Sequence, residues 1–170
     1  MGQVGVNIND KIRGSLMAGA AGDALGYAVE FKKFKDIISR YGGSGITRFE
    51  LNERGKAEIS DDTQMTLFTA NGVLMGLTRG AMTGLGGAPE DYVSGAYMDW
   101  YRTQCGVKEH AGDYTWLVKL PEMAYCRAPG VTCLTACKAL ISGKAVENDS
   151  KGCGGIMRIA PYALLSASYN

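Results

Sequence analysis

Helical spacing governs this sequence almost from end to end. In residues 9–30, Ile12, Leu16, Met17, Ala20, Ala24 and Tyr27 recur at the intervals of one helical face, and Asn9 or Asp10 can cap the first turn. "KKFKDIISRYGG" reads as a short amphipathic helix ending at Gly42. Residues 61–79 read as a long helix, followed by "RGAMTGLGGAPED" as a flexible turn. A helix over Pro89–Gln104 has its proline in the first turn, where a missing N–H costs least. "TWLVKLPEMAYCRA" is mixed, because Pro121 ends or kinks any helix there. "TCLTACKALISG" is a helix stopped by Gly143, and "IAPYALLSAS" starts another. Only "ITRFELN" has strand character, and it is short. The alternation of strand and helix that builds a parallel sheet is absent, so the expectation is an all-α single domain over residues 1–170, with irregular loops and no repeat.

Twenty-four glycines are many for a helical chain. They imply close backbone approach or unusual turns in several places. Gly14, Ala18, Gly22 and Gly26 form a row four residues apart on the first helix, against which another backbone could lie. Each glycine lowers helix propensity by about 1 kcal/mol, so packing or a ligand is expected to compensate. Met65, Phe68, Leu74 and Met75 are assigned to the core.

The formal net charge of +1, without a basic run carrying interleaved aromatics, argues against nucleic acid and anionic membrane as partners. No stretch approaches the ~18 consecutive apolar residues of a membrane helix, and the N-terminus lacks the pattern of a secretory signal. Five scattered cysteines without a CxxC pair fit reduced thiols and a cytoplasmic location. Cys126, Cys133 and Cys137 read as small core residues rather than zinc ligands, since His110 is the one histidine available to join them. His110 itself reads as a surface or capping residue.

Three segments could carry chemistry. In "ISDDTQ", Ser60 can cap a helix whose first turn holds Asp61 and Asp62, where the helix dipole favours negative charge. The same two carboxylates and hydroxyl form a hard-oxygen cluster of the kind Mg²⁺ takes, usually with waters retained. Capping and metal binding both remain open on this evidence. In "AGDALGYAVEF", Asp23 and Glu30 share a face if the helix stays regular. Asp23 then caps a neighbour or pairs with an arginine, and Glu30 is either exposed at the helix end or turned to a cleft as acid, base or acceptor. In "NDSKGCGGIMRIAP", Gly152, Gly154 and Gly155 allow backbone N–H groups to face an anion, with a helix start behind them. It is neither a P-loop nor a dinucleotide fingerprint, because no Gly-Lys-Ser/Thr closes it, no strand precedes it, and Met157 stands at the third glycine position. No histidine nearby in sequence would activate Cys153, so a cysteine nucleophile ranks low.

Taken in order, "GSLMAGAAGDALGYAVEF", "SDDTQMTL" and "SKGCGGIMRIAPYAL" resemble the ADP-ribosylglycohydrolase family, over roughly Lys11–Leu165 and most weakly between Arg79 and Val146. The resemblance implies an orthogonal multi-helix all-α fold with a centre of two Mg²⁺ or Mn²⁺ ions. It implies hydrolysis of the bond between ADP-ribose and a protein side chain, or of a small ADP-ribose compound. By position, the family's Thr-Asp-Asp metal motif falls on Ser60, Asp61 and Asp62, with serine keeping the hydroxyl. The family glutamate falls on Glu30, on the ribose side or assisting the leaving group, so Glu30, Asp61 and Asp62 are the implied catalytic set. The diphosphate loop falls on Ser150, Gly152, Cys153, Gly154 and Gly155, where many relatives have asparagine at the Cys153 position. Arg158 is given a structural role beside it.

The family's second metal motif, of Gly-Asp-Thr-Asp type, does not occur, and neither Glu147 nor Asp149 fits it. The apolar helical pattern is still running at Asn170. The expectation is therefore an N-terminal portion of the fold carrying half of the metal site, as a truncation, a proteolytic product or one piece of a split protein. The missing segment would then act in cis or in trans. A non-catalytic ADP-ribose-binding module is the alternative, and a structural fragment whose aspartates only cap a helix is the third reading.

Overall fold

A computed structural model describes residues 7–107 and 114–168, and His110 lies outside them. Among the described residues the regular structure is helical, with a single isolated bridge between Leu51 and Ala57. The chain divides into two compact units, Met1–Ser60 and Asp61–Asn170.

The first unit holds α1 (Ile8–Tyr27) and α2 (Phe34–Tyr41). The cap of α1 lies earlier than the sequence suggests: the Asn9 N–H donates to the Asn7 side chain at 3.0 Å. The helix also ends earlier, at Tyr27, so Glu30 sits in the turn beyond it and is exposed rather than sharing a helical face with Asp23. Asp23 caps a neighbour, since both its carboxylate oxygens accept from the Ser60 N–H, at 2.9 and 3.2 Å. α2 stops where Gly42 takes φ 76°, a conformation that glycine adopts without a Cβ penalty. "ITRFELN" is not a strand. Asn52 Oδ1 accepts from the N–H groups of Arg54 and Lys56 and gathers the chain into a tight turn, leaving only the Leu51–Ala57 bridge. The small-residue row of α1 is also corrected. Within this unit's described residues, no atom comes within 4 Å of a Cβ built on Gly14, Gly22 or Gly26. Spacing shows where side chains are small; it does not show that anything faces them.

The second unit is built on α3 (Asp61–Thr83), packed against α4 (Pro89–Cys105) and α6 (Ala160–Ser168), with α5 (Val131–Ile141) against α4. Close approach does occur here, on α3, where Gly72, Gly76 and Gly80 stand four residues apart. A Cβ on Gly72 would stand 2.8 Å from Val93 Cα, and one on Gly76 would stand 2.8 Å from the Tyr92 ring. Met65, Phe68, Ala96 and Trp100 are fully enclosed between these helices. α3 runs four residues past its expected end, into the segment read as a flexible turn. Leu74 is 59% exposed and Met75 half-buried, so neither joins the core as expected. Cys133 and Cys137 are buried as expected, whereas Cys126 is exposed in the loop before α5. As expected, helix breaks before Pro121: the 3-10 turn Trp116–Lys119 stops, Leu120 is extended (φ −84°, ψ 120°), and Pro121 opens a second short 3-10 turn.

Polar side chains inside this unit fix the loop that follows. Gln64 accepts from the Trp100 indole N–H at 3.2 Å and donates to the Tyr125 carbonyl at 3.0 Å. Gln104 donates to the same carbonyl and accepts from the Arg127 N–H at 3.0 Å. Residues 125–127 are thereby tied to α3 and α4 together. Buried Asp99 accepts from the Thr115 N–H at 2.8 Å and from Arg102 at 3.0 Å, while burial pushes its carboxyl above the usual range.

The Gly72 contact is with backbone, which cannot swing aside. Gly72→Ala is expected to destabilise the protein by about 1–3 kcal/mol, whereas Gly14→Ala, in an open helix position, is expected to stabilise by roughly 0.5–1 kcal/mol. Urea midpoints of the two variants test this; equal shifts would contradict the packing described.

Candidate functional site

The first turn of α3 carries its charge inward. Asp61 is only 6% exposed, and Asp62 is half-buried. The Asp61 N–H donates to the Arg127 carbonyl at 2.9 Å, and Asp61 Oδ2 accepts from the Gly130 N–H at 3.0 Å. Gly130 is the N-cap residue of α5, so the carboxylate also lies at the positive end of that helix. Ser60, just before the pair in sequence, is buried.

The glycine segment comes to this same turn of α3. The Thr66 hydroxyl lies 2.8 Å from the Asp62 carbonyl and 2.9 Å from the Met157 carbonyl, so its one proton is shared between its own helix and the glycine segment. Cys133, in the first turn of α5, lies between them. A Cβ on Gly154 would stand 3.0 Å from its sulfur, and one on Gly130 would stand 3.8 Å from that sulfur and 3.9 Å from Asp61 Oδ2. A side chain at 154 would press on the Cys133 sulfur. Arg158 stacks on the Tyr97 ring at 4.6 Å and points a guanidinium N–H at Met65 Sδ, 3.3 Å away. That is the structural role expected of it.

The loop is more self-contained than a bare cradle. Ser150 donates its N–H to the Asn148 side chain at 2.8 Å, and Gly152 donates its own to Ser150 Oγ at 3.1 Å. Cys153–Gly155 form one 3-10 turn, and α6 begins only at Ala160. Cys153 is exposed. Burial raises the thiol of Cys133 and pushes that of Cys137 up to about 12, so both are neutral packing groups at ordinary pH.

The structure therefore brings together Asp61, Asp62 and the glycine loop. Glu30 and Ser60 belong to the first unit. Among the described residues, no cluster of three or more His, Cys, Asp or Glu side chains is assembled as a metal cage. Two adjacent carboxylates, one of them oriented by a backbone N–H, nonetheless match in kind what Mg²⁺ takes, since that ion is commonly held by one or two carboxylates with water and substrate oxygens. Gly130 and Thr66 escaped the sequence reading, and Cys133 was read only as a core residue. For Gly130 the Pro-Gly step before "VTCLTAC" was the one visible signal, as a helix start needing a cap.

These features define an all-α protein with an acidic pair beside a glycine loop. The sequence matches the ADP-ribosylglycohydrolase family over residues 5–169, and the chain belongs to that family. No curated protein and no solved structure matches it. No helix among the described residues is long and apolar enough to cross a membrane.

If the shared hydroxyl ties α3 to the glycine segment, Thr66→Val should cost about 1 kcal/mol of stability. Thr83→Val, whose hydroxyl bonds locally at an exposed helix end, should cost less. Urea unfolding of the pair checks this; equal costs would remove the tie.

Proposed function

We propose that the chain takes part in metal-dependent hydrolysis of the glycosidic bond between ADP-ribose and an acceptor, a protein side chain or a small ADP-ribose compound. Asp61 and Asp62, with the Ser60 hydroxyl before them, would hold Mg²⁺ or Mn²⁺. Bound there, a divalent ion would supply polarisation of the ribose hydroxyls and a positioned water. The same carboxylates favour the positive charge that develops as the bond breaks through an oxocarbenium-like state. Ser150, Gly152, Cys153, Gly154 and Gly155 would fix the diphosphate away from the reacting carbon and so set the geometry. Glu30, exposed after α1, is the carboxylate that the resemblance assigns to the ribose side. The full complement of two ions would need a second group of ligands, which the resemblance assigns to a motif not found in these residues.

The observation that supports this reading most is that Gly154 of the glycine loop lies against the Cys133 sulfur, while that sulfur and Asp61 Oδ2 both neighbour Gly130. It joins the two motifs within one unit, although they stand about ninety residues apart in sequence. Titrating the protein with ADP-ribose, with and without Mg²⁺, tests it. A ligand at a hundredfold excess over its Kd stabilises by about 2.7 kcal/mol, which a melting curve resolves. Stabilisation is expected to strengthen with Mg²⁺ and to lose that dependence in Asp61→Ala/Asp62→Ala, which should also abolish hydrolysis where it is present. Binding indifferent to Mg²⁺ in the native chain, or turnover retained in the double variant, would overturn the metal role.

A further inference from the structure

Asp61 is gripped from two sides by one short segment. Its N–H donates to the Arg127 carbonyl, and three residues further on the Gly130 N–H donates to its Oδ2. Closing both bonds within four residues demands a sharp reversal. Ala128, between them, takes φ 51°, the one positive value at a described residue other than glycine. An alanine in that region costs about 1–2 kcal/mol, and such strain persists only where surrounding contacts impose it. The contacts are on the page. Gln104 accepts from the Arg127 N–H, and Gln64 and Gln104 both hold the Tyr125 carbonyl. The segment is anchored to the core at one end and to α5 at the other.

We infer that residues 127–130 position Asp61, with the Gly130 N–H as the group that fixes which carboxylate oxygen is turned toward a divalent cation. The inference rests on the metal reading above and adds to it a positioning residue outside the three sequence motifs. Side chain is not what Gly130 contributes: its φ of −59° suits any residue, and a Cβ there would meet Cys133 and Asp61 at ordinary contact distance. Toward Asp61 it offers its N–H, while its carbonyl accepts from the Leu134 N–H at the start of α5. Second-layer donors of this kind commonly change metal affinity by 10–100-fold.

The same geometry permits a selective test. Gly130→Pro keeps φ in the proline range and deletes the N–H. Gly130→Ala keeps the N–H and serves as the conservative comparison. With Mn²⁺ alone as probe, followed by calorimetry, Gly130→Pro should bind about 10–100-fold more weakly than the native protein, and Gly130→Ala within about twofold of it. Equal affinity for native protein and Gly130→Pro would overturn this inference while leaving the metal reading intact. No Mn²⁺ binding by the native protein would overturn both. Should the proline variant fail to fold, exchange of the Gly130 amide in Asp61→Ala decides instead. Loss of a bond to a charged acceptor should speed it roughly tenfold or more, and unchanged exchange would overturn the inference.

Discussion

A carboxylate almost wholly withdrawn from water cannot stand without donors, and Asp61 is such a group. The second unit is arranged around that constraint. A helix starts at Asp61, another helix points its N-terminus at it, and the loop between α4 and α5 bends through an unfavourable backbone angle to reach it. A helix that needed only a capping charge could carry the aspartate at the surface, where a dipole interaction is worth at most about 1 kcal/mol. Burial with a backbone donor ties this side chain to the start of α5 as well as to the first turn of its own helix.

The packing that makes this possible is glycine packing between α3 and α4. With Gly72 and Gly76, α3 lies close enough to α4 for Val93 and the Tyr92 ring to touch its backbone. Gln64 and Trp100, and then Gln104, meet across that interface and fix the Tyr125–Arg127 segment. From helix packing to the polar clamp to the grip on Asp61, each step supplies the rigidity the next one uses.

Much of this was legible beforehand. Long apolar periodicity with few breakers marks helices well, so α2, α4, α5 and α6 fall within a residue or two of their expected bounds. The acidic pair and the glycine loop were visible as motifs, because hard-oxygen and anion-binding chemistry leaves a recognisable composition. What escaped depends on partners distant in sequence. Gly14, Gly22 and Gly26 look like a packing row but meet nothing within their unit, while Gly72 and Gly76, in a row of the same spacing, lie against α4. Leu74 has the periodicity of a core residue but lies on a part of α3 that reaches the surface. Gly130 acts through its N–H, and a backbone donor has no letter of its own in the sequence.

The central claim is that the acidic pair at the start of α3 and the glycine loop face one shared ion site. Paramagnetic broadening of backbone amide resonances by substoichiometric Mn²⁺ tests it most directly, because the effect falls steeply with distance from the ion. The account predicts selective loss of signal at Asp61, Asp62 and Gly130 and through residues 152–155. Broadening centred instead on another acidic surface, such as Glu90–Asp91 or Glu147–Asp149, with the α3 start unaffected, would contradict it.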